Sequence, residues 1–150
     1  MSTSWYKAAD LVWLENWINS EPIDSLDDLE WQVVAVKFWT YSCINCINTF
    51  DETEALYQKY KDEWFTVLGL HAPEFSYERV PKNVQNAVEK YGLSFPIALD
   101  NEFTTWKAYK NRYWPAFYLI DKQGNVRYTH FWEGRYEEKD AAVRELLDEL

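Results

Sequence analysis

A run of β-branched and aromatic residues, Val33 to Trp39, ends four residues before two cysteines spaced as Cys43-Ile44-Asn45-Cys46. The run carries one charge, Lys37, and reads as a central strand. From Cys43 onward the pattern predicts a helix to about Tyr60, with Ser42 as its N-cap. A chain that passes from a buried strand into a helix at a dithiol has few architectures open to it. Strands alternating with crossover helices imply a mixed sheet covered on both faces.

The remaining pattern agrees. Phe65 to Leu70 and Phe95 to Leu99 predict strands, and Thr104 to Lys110 a short helix. Val80, Val84, Ala87, Val88 and Tyr91 recur at helical spacing, with Pro81 near the start and Gly92 just past the end. Ala116 to Ile120 and Val126 to Phe131 predict two strands joined by a turn over Asp121-Lys122-Gln123-Gly124-Asn125. Val143, Leu146, Leu147 and Leu150 predict a closing amphipathic helix, with Glu137-Glu138 through Glu149 on its solvated face. At the other end Leu11, Leu14 and Ile18 fall at i, i+3 and i+7. They predict a helix over residues 6–18, stopped by Asn19-Ser20-Glu21-Pro22. The expectation is one α/β domain over residues 1–150, with a helical N-terminal extension over 1–30.

Charge narrows the partners. With 15 Lys and Arg against 25 Asp and Glu, the net charge of −10 repels phosphate backbones and argues against nucleic acid. The 9 Trp, 11 Tyr and 8 Phe supply ample material for a packed core. No apolar run approaches the roughly 18 residues of a membrane span. Met1 to Asp10 contains no apolar signal segment, so the expected compartment is the cytoplasm, or an extracytoplasmic one if a leader was removed.

The dithiol carries the chemistry. A cysteine at a helix N-terminus faces unpaired N–H groups and the positive end of the macrodipole, which favour its thiolate. Cys43 is therefore the expected nucleophile. Cys46, one turn on and on the same face, is the expected resolving thiol that attacks the mixed disulfide and releases the product. Two other uses stand beside this one. Zinc needs two further ligands, and the two histidines, His71 and His130, sit at opposite ends of different predicted strands; no metal site is expected. A purely structural disulfide closing so short a loop contributes little stability.

The segment Phe38-Trp39-Thr40-Tyr41-Ser42-Cys43-Ile44-Asn45-Cys46 resembles the active-site segment of thioredoxin-fold proteins of the TlpA/DipZ type. It also resembles the thioredoxin-like domain of NHL-repeat-containing proteins. The similarity continues through Trp17 to Pro22, His71-Ala72-Pro73-Glu74-Phe75, Asn111 to Asp121 and His130 to Tyr136, so it covers nearly the whole chain. It implies a thioredoxin fold and a cis Trp114–Pro115 bond packed beside the cysteines, where the backbone of Trp114 meets an extended partner chain. Trp39, Tyr41 and Trp114 are expected to flank the cysteines as an apolar platform, with simple core filling as their other use, for Trp39 more than for Trp114.

Three positions depart from that family. Lys37 stands where an Asp usually assists proton transfer from the resolving cysteine. It acts as a base only if burial lowers its pKa, and it either pairs with a carboxylate such as Glu74 or faces away from the cysteines. Asp51 replaces a proline that kinks the active-site helix, so a straighter helix is expected. Trp132 stands where relatives have Gly. Glu74 is a second candidate proton relay for the resolving thiol, or else caps its loop or pairs with a base. His71 and His130 are expected to be hydrogen-bonded structural residues.

The expected function is thiol–disulfide oxidoreduction, with no cofactor beyond a redox-active Cys43–Cys46 disulfide. Its partners would be protein dithiols or disulfides and an upstream electron-donor protein, met as a monomer. Ile44-Asn45 lacks both the Gly-Pro of ordinary thioredoxins and a thiolate-stabilising His, which favours a reductant. One alternative is a thiol peroxidase. Thr40-Tyr41-Ser42-Cys43 satisfies Thr-x-x-Cys, but Val36 replaces the expected proline and an activating Arg could come only from a distant position such as Arg112 or Arg127. The other is a non-catalytic docking module.

Overall fold

The computed structural model describes residues 5–149; Met1 to Ser4, and Leu150 of the expected closing helix, lie outside them. In chain order the elements are β1 (Tyr6–Lys7), β2 (Glu15–Ile18), β3 (Val33–Trp39), α1 (Ile44–Ile47), α2 (Phe50–Tyr60) and β4 (Phe65–His71). Then follow α3 (Pro81–Tyr91), β5 (Ile97–Leu99), α4 (Thr104–Ala108), β6 (Ala116–Ile120), β7 (Asn125–Phe131) and α5 (Tyr136–Asp148). The strands form one sheet in the order β1-β7-β6-β3-β4-β5-β2. β3, β4 and β5 are parallel, whereas β6 runs antiparallel to β3 and β7 antiparallel to β6.

β3 lies in the middle of the sheet and is buried along its whole length, as its apolar run demands. Because side chains alternate across a strand, Val33, Ala35 and Trp39 enter one core with Cys46, Phe50, Val84, Val88, Val143 and Leu146. Val34, Val36 and Phe38 enter the other with Leu68, Leu70, Trp106, Tyr109 and Tyr118. The first core is roofed by α1, α2, α3 and α5. The second is closed by α4 and the N-terminal chain. No helix among the described residues is long and apolar enough to cross a membrane.

The N-terminal expectation is corrected. Residues 6–18 form no helix; they run extended and pair at both ends of the sheet. Tyr6 and Lys7 lie antiparallel to Val126 and Asn125, while Glu15 and Ile18 lie against Leu99 and Ile97. Between them, the Val12 N–H donates to the Thr105 hydroxyl (2.8 Å), and both Thr104 and Thr105 hydroxyls donate to the Val12 carbonyl. Trp13, Asn16 and Asn19 take positive φ values of 52°, 52° and 66°, which break any helix and turn the chain between partners. Leu11 is buried all the same, so its spacing reflected burial and not periodicity.

The helix expected over 43–60 is interrupted. Cys43, not Ser42, is the N-cap of α1, and α2 restarts at Phe50. The Thr49 hydroxyl donates to the Cys46 carbonyl (2.7 Å) and the Thr53 hydroxyl to the Thr49 carbonyl (2.8 Å). Between the two helices the Thr49 N–H bonds the Cys46 carbonyl three residues back (2.9 Å), so the break appears with Asp51 in place of proline, and the straighter helix expected does not form.

Gly69 on β4 lies under the site and has no room for a side chain. A Cβ there would sit 2.7 Å from Phe95 Cε1, 3.1 Å from the Trp39 indole nitrogen and 3.2 Å from Ile97 Cγ1. We expect Gly69→Ala to lower stability by about 1–3 kcal/mol, read as a lower urea midpoint; an unchanged midpoint would mean Phe95 and Trp39 can give way.

Candidate dithiol site

β3 delivers the chain to one end of the sheet, where Thr40 to Ser42 lead into the two cysteines. Both are free thiols; Cys43 is partly exposed and Cys46 buried. The Cys46 thiol donates to Cys43 sulfur and, against the opposing effects of burial and the nearby Glu74 charge, is helped by the N–H groups of Cys46 and Asn45. Together they lower the Cys43 pKa to about 6. The same sulfur–sulfur hydrogen bond, with burial, drives the Cys46 pKa far above that of an ordinary thiol. One sulfur is a thiolate at neutral pH while its neighbour keeps its proton, which is the division of labour a dithiol exchange requires.

The loop before Cys43 is held by a fully buried carboxylate, Glu78, which the sequence did not single out. It lies in a 3-10 turn over Ser76–Arg79. One oxygen accepts from the backbone N–H groups of Glu74 and Phe75, both at 2.8 Å. The other accepts from the Ser42 N–H (3.3 Å) and the Ser42 hydroxyl. Burial alone would raise its pKa; donation from the hydroxyls of Ser42 and Thr40 and from the Phe75 and Glu74 N–H groups holds it below the usual carboxylate value. Glu78 thus ties the loop carrying Cys43 to the loop after β4. Ser42, expected as the helix cap, spends its hydroxyl here. His71 is structural, as expected: its Nε2 lies 3.2 Å from the Tyr41 N–H that donates to it, and burial lowers its pKa to about 4. His130 bonds the Glu133 carbonyl at 2.9 Å. No group of three or more His, Cys, Asp or Glu that could hold a metal occurs among the described residues.

Lys37 takes neither of the two placements expected. It does not pair with Glu74, and it does not face away from the cysteines. It lies on the Cys46 side of the sheet, 3% exposed, and its ammonium donates to the hydroxyls of Thr49 and Thr53, the latter at 2.6 Å. The physical reason is parity: position 37 shares a face with Ala35 and Trp39, under the helices. Burial pulls its pKa down to about 7, countered by the Cys46 and Glu52 charges and assisted by Lys139. Glu74 is exposed and acts by its charge on Cys43. Of the two candidate relays, only Lys37 lies with Cys46 in the buried part of the site.

The platform differs from the expected one. Trp39 is core, 1% exposed, wedged edge-on against Phe50 and His71. Tyr41 is partly exposed and stacks on His71 at 5.6 Å. Trp114 is half-buried, its indole N–H donating to the Ala72 carbonyl (2.8 Å), and the Trp114–Pro115 bond is cis. Phe75 and Tyr77, absent from the expected set, stack at 5.6 Å and are both 50% exposed, and Tyr77 meets Tyr41 edge-on. Their signal was available: two aromatics directly after His71-Ala72-Pro73-Glu74, in a segment too short and polar for a core element. Thr49 and Thr53 also left a trace, since Cys46, Thr49 and Thr53 fall at i, i+3 and i+7 and so share a face of the helix.

Two measurements test this electrostatic picture. Alkylation of Cys43 by iodoacetamide should rise with a midpoint near pH 6. In Cys46→Ala, which removes the donor, it should move up by about one unit or more toward a free thiol's 8.5. A lysine whose pKa falls from 10.5 to about 7 on folding costs stability below pH 7, and that cost fades as pH rises to 10.5. Lys37→Met should therefore gain about 2–4 kcal/mol at pH 6 and little at pH 10, by urea denaturation.

A model of the AhpC/TSA family matches residues 18–129. Protein DipZ of Mycobacterium tuberculosis is 46% identical over 145 residues, which are 95% of this chain and 21% of that protein. The chain thus spans about a fifth of the length of the DipZ proteins it matches. Thiol-disulfide oxidoreductase ResA of Halalkalibacterium halodurans is 33% identical over 107 residues, 70% of this chain and 57% of ResA. Among solved structures, a thiol-disulfide isomerase from Corynebacterium glutamicum superposes with a TM-score of 0.84 at 25% identity, over 95% of this chain and 98% of that one. The architecture is thioredoxin-like, as the sequence resemblance implied.

Proposed function

The chain belongs to the AhpC/TSA family, and from that premise we infer that it is a thiol–disulfide oxidoreductase working through Cys43 and Cys46. The observation that carries this reading is the asymmetry of the two sulfurs. Cys43, held as a thiolate at the partly exposed start of α1, attacks a disulfide in a partner protein. One partner sulfur leaves as a thiolate and the other stays bonded to Cys43. Cys46 then attacks the Cys43 sulfur, closing the Cys43–Cys46 disulfide and freeing the second partner sulfur. The electrons come from the two thiols alone, so the step uses no bound cofactor, and an upstream dithiol protein restores the reduced pair. In this reading Trp114 and Pro115, with Tyr41, Phe75 and Tyr77, receive the partner chain. The part-exposed Trp114 and Tyr41 and the exposed Phe75 and Tyr77 offer it an apolar face, with Pro115 buried behind Trp114 in the chain.

A peroxidase is less well supported by the site. Arg127 is committed to Asp121 (3.1 Å) and Glu149 (2.7 Å). That leaves the exposed Arg112 as the one of the two expected arginines not so bound.

Insulin reduction driven by dithiothreitol tests the proposal. The wild type should accelerate it, and Cys43→Ser should lose that acceleration by at least about a hundredfold. Cys46→Ser should accumulate a covalent adduct with insulin that excess thiol releases. Equal activity of Cys43→Ser and wild type would remove the reading. Cys43-dependent peroxide consumption without insulin reduction would favour the peroxidase.

A further inference from the structure

The exchange chemistry uses two sulfurs and leaves one buried charge without a task. Glu78 is fully withdrawn from solvent, a costly place for a carboxylate. Among the described residues its hydrogen bonds run to two loops and to neither sulfur. Oε1 accepts from the Glu74 and Phe75 N–H groups, at the start of the turn that bears Phe75 and Tyr77. Oε2 accepts from the N–H and the hydroxyl of Ser42, the residue joined to Cys43. One side chain is thereby bonded to the aromatic face on one side and to the approach to the nucleophile on the other.

The other links between these loops are weaker. The Tyr41 hydroxyl reaches the Tyr77 carbonyl at 3.4 Å, and the Ser42 and Tyr77 hydroxyls meet at 3.2 Å. Both contacts lie at the surface, where water competes for them. The bonds to Glu78 are charge-assisted and sheltered, and the pair from Glu74 and Phe75 is 2.8 Å long. Glu78 therefore decides where the two loops sit relative to each other. That register matters because a thiolate attacks a disulfide in line with the bond it breaks. Phe75 and Tyr77 stack nearly parallel, 8° between planes and 5.6 Å between centroids, and each leaves half of its surface to solvent. Such a flat pair seats a bulky apolar side chain beside the partner's cysteine. A displacement of about 1 Å between seat and nucleophile costs a reaction of this kind on the order of a hundredfold.

We propose that Glu78 is a positioning residue that holds the Phe75–Tyr77 face in register with Cys43, so that the chain selects partner disulfides flanked by a bulky apolar residue. This deepens the thiol–disulfide reading and rests on it. Glu78 acts through Ser42 and through the turn, and it touches no reacting atom. A carboxylate is required because both ends of the fork must accept. An amide has one acceptor oxygen, and its nitrogen donates. In Glu78→Gln that oxygen serves one loop, while the amide nitrogen confronts an N–H of the other, whichever way it turns. The tether opens although the side chain keeps its volume.

The test uses two short capped peptides, each with one cysteine joined through a disulfide to thionitrobenzoate. One peptide carries leucine on both sides of the cysteine, the other glycine. The Cys43 thiolate attacks the peptide sulfur and bonds to it. The old disulfide breaks with its electron pair on thionitrobenzoate, which leaves as a yellow thiolate. Stopped-flow rates with the reduced protein give a leucine-to-glycine ratio, which in the wild type should be about ten or more. In Glu78→Gln the ratio should fall at least about fivefold. Both peptides meet the same thiolate, so a change in Cys43 ionisation or in the amount of folded protein cancels from it. Phe75→Ala/Tyr77→Ala should lose the preference too, since Glu78 acts through that face. A wild-type ratio in Glu78→Gln overturns the inference, as does a preference retained by the Phe75→Ala/Tyr77→Ala variant or a ratio near one in the wild type. Where Glu78→Gln fails to fold, Ser42→Ala decides. It removes one bond of the tether from an exposed residue, and an unchanged ratio there overturns the inference. All of these outcomes leave the exchange chemistry standing; absence of Cys43-dependent release from either peptide removes the oxidoreductase reading itself.

Discussion

An amine held in the middle of a sheet sets the terms for everything around it. Lys37 cannot keep a full charge cheaply at that depth, where it is almost wholly withdrawn from the surface. Its neighbours are arranged to meet this constraint. Two threonine hydroxyls, each already donating into the backbone of the active-site helix, turn their oxygens toward it. The same two threonines sit where α2 begins, Thr49 as its N-cap residue and Thr53 one turn into it. One side chain on β3 is therefore tied to the segment that follows Cys46.

The front of the site is governed by a second buried charge of opposite sign. Glu78 gathers donors from two loops and stays ionised with no cationic partner among the described residues, because hydrogen bonds replace its lost hydration. It fixes the approach to Cys43, while Lys37 underlies Cys46. The two sulfurs thus lie between a carboxylate that orders the loop and an amine that orders the helix. Their own hydrogen bond divides the proton between them, with Cys43 ionised and Cys46 protonated. Removing either buried charge would alter the dithiol without touching a sulfur.

Much of this was legible in the sequence, for physical reasons that differ by element. β3, β4 and β6 declared themselves through nearly continuous apolar runs, interrupted by Lys37 in β3 and by Thr66 and His71 in β4, because a strand covered on both faces has little polar side to show. The dithiol declared itself by its place at the end of β3. Residues 6–18 misled because three apolar residues at helical spacing also suit an extended chain, once positive φ at Trp13, Asn16 and Asn19 re-aims it. That information sits in two sheet edges and in Thr104 and Thr105, about ninety residues away. For Trp39 both a platform beside the cysteines and core filling fit the sequence, and strand parity sends it into the core. Glu78 was hidden for a different reason: in an acidic chain, one more glutamate in a short polar loop is invisible until donors from two loops converge on it.

The N-terminal segment reaches both outer strands of the core sheet, β1 against Val126 and Asn125 of β7 and β2 against Leu99 and Ile97 of β5. Each pairing closes a loop over more than half of the chain, and long closures of this kind slow folding. An uncovered edge strand offers its free N–H and C=O groups as a template to a strand from another molecule. The two short strands occupy part of that template, so they guard against copies of this chain joining edge to edge as well as adding bonds of their own.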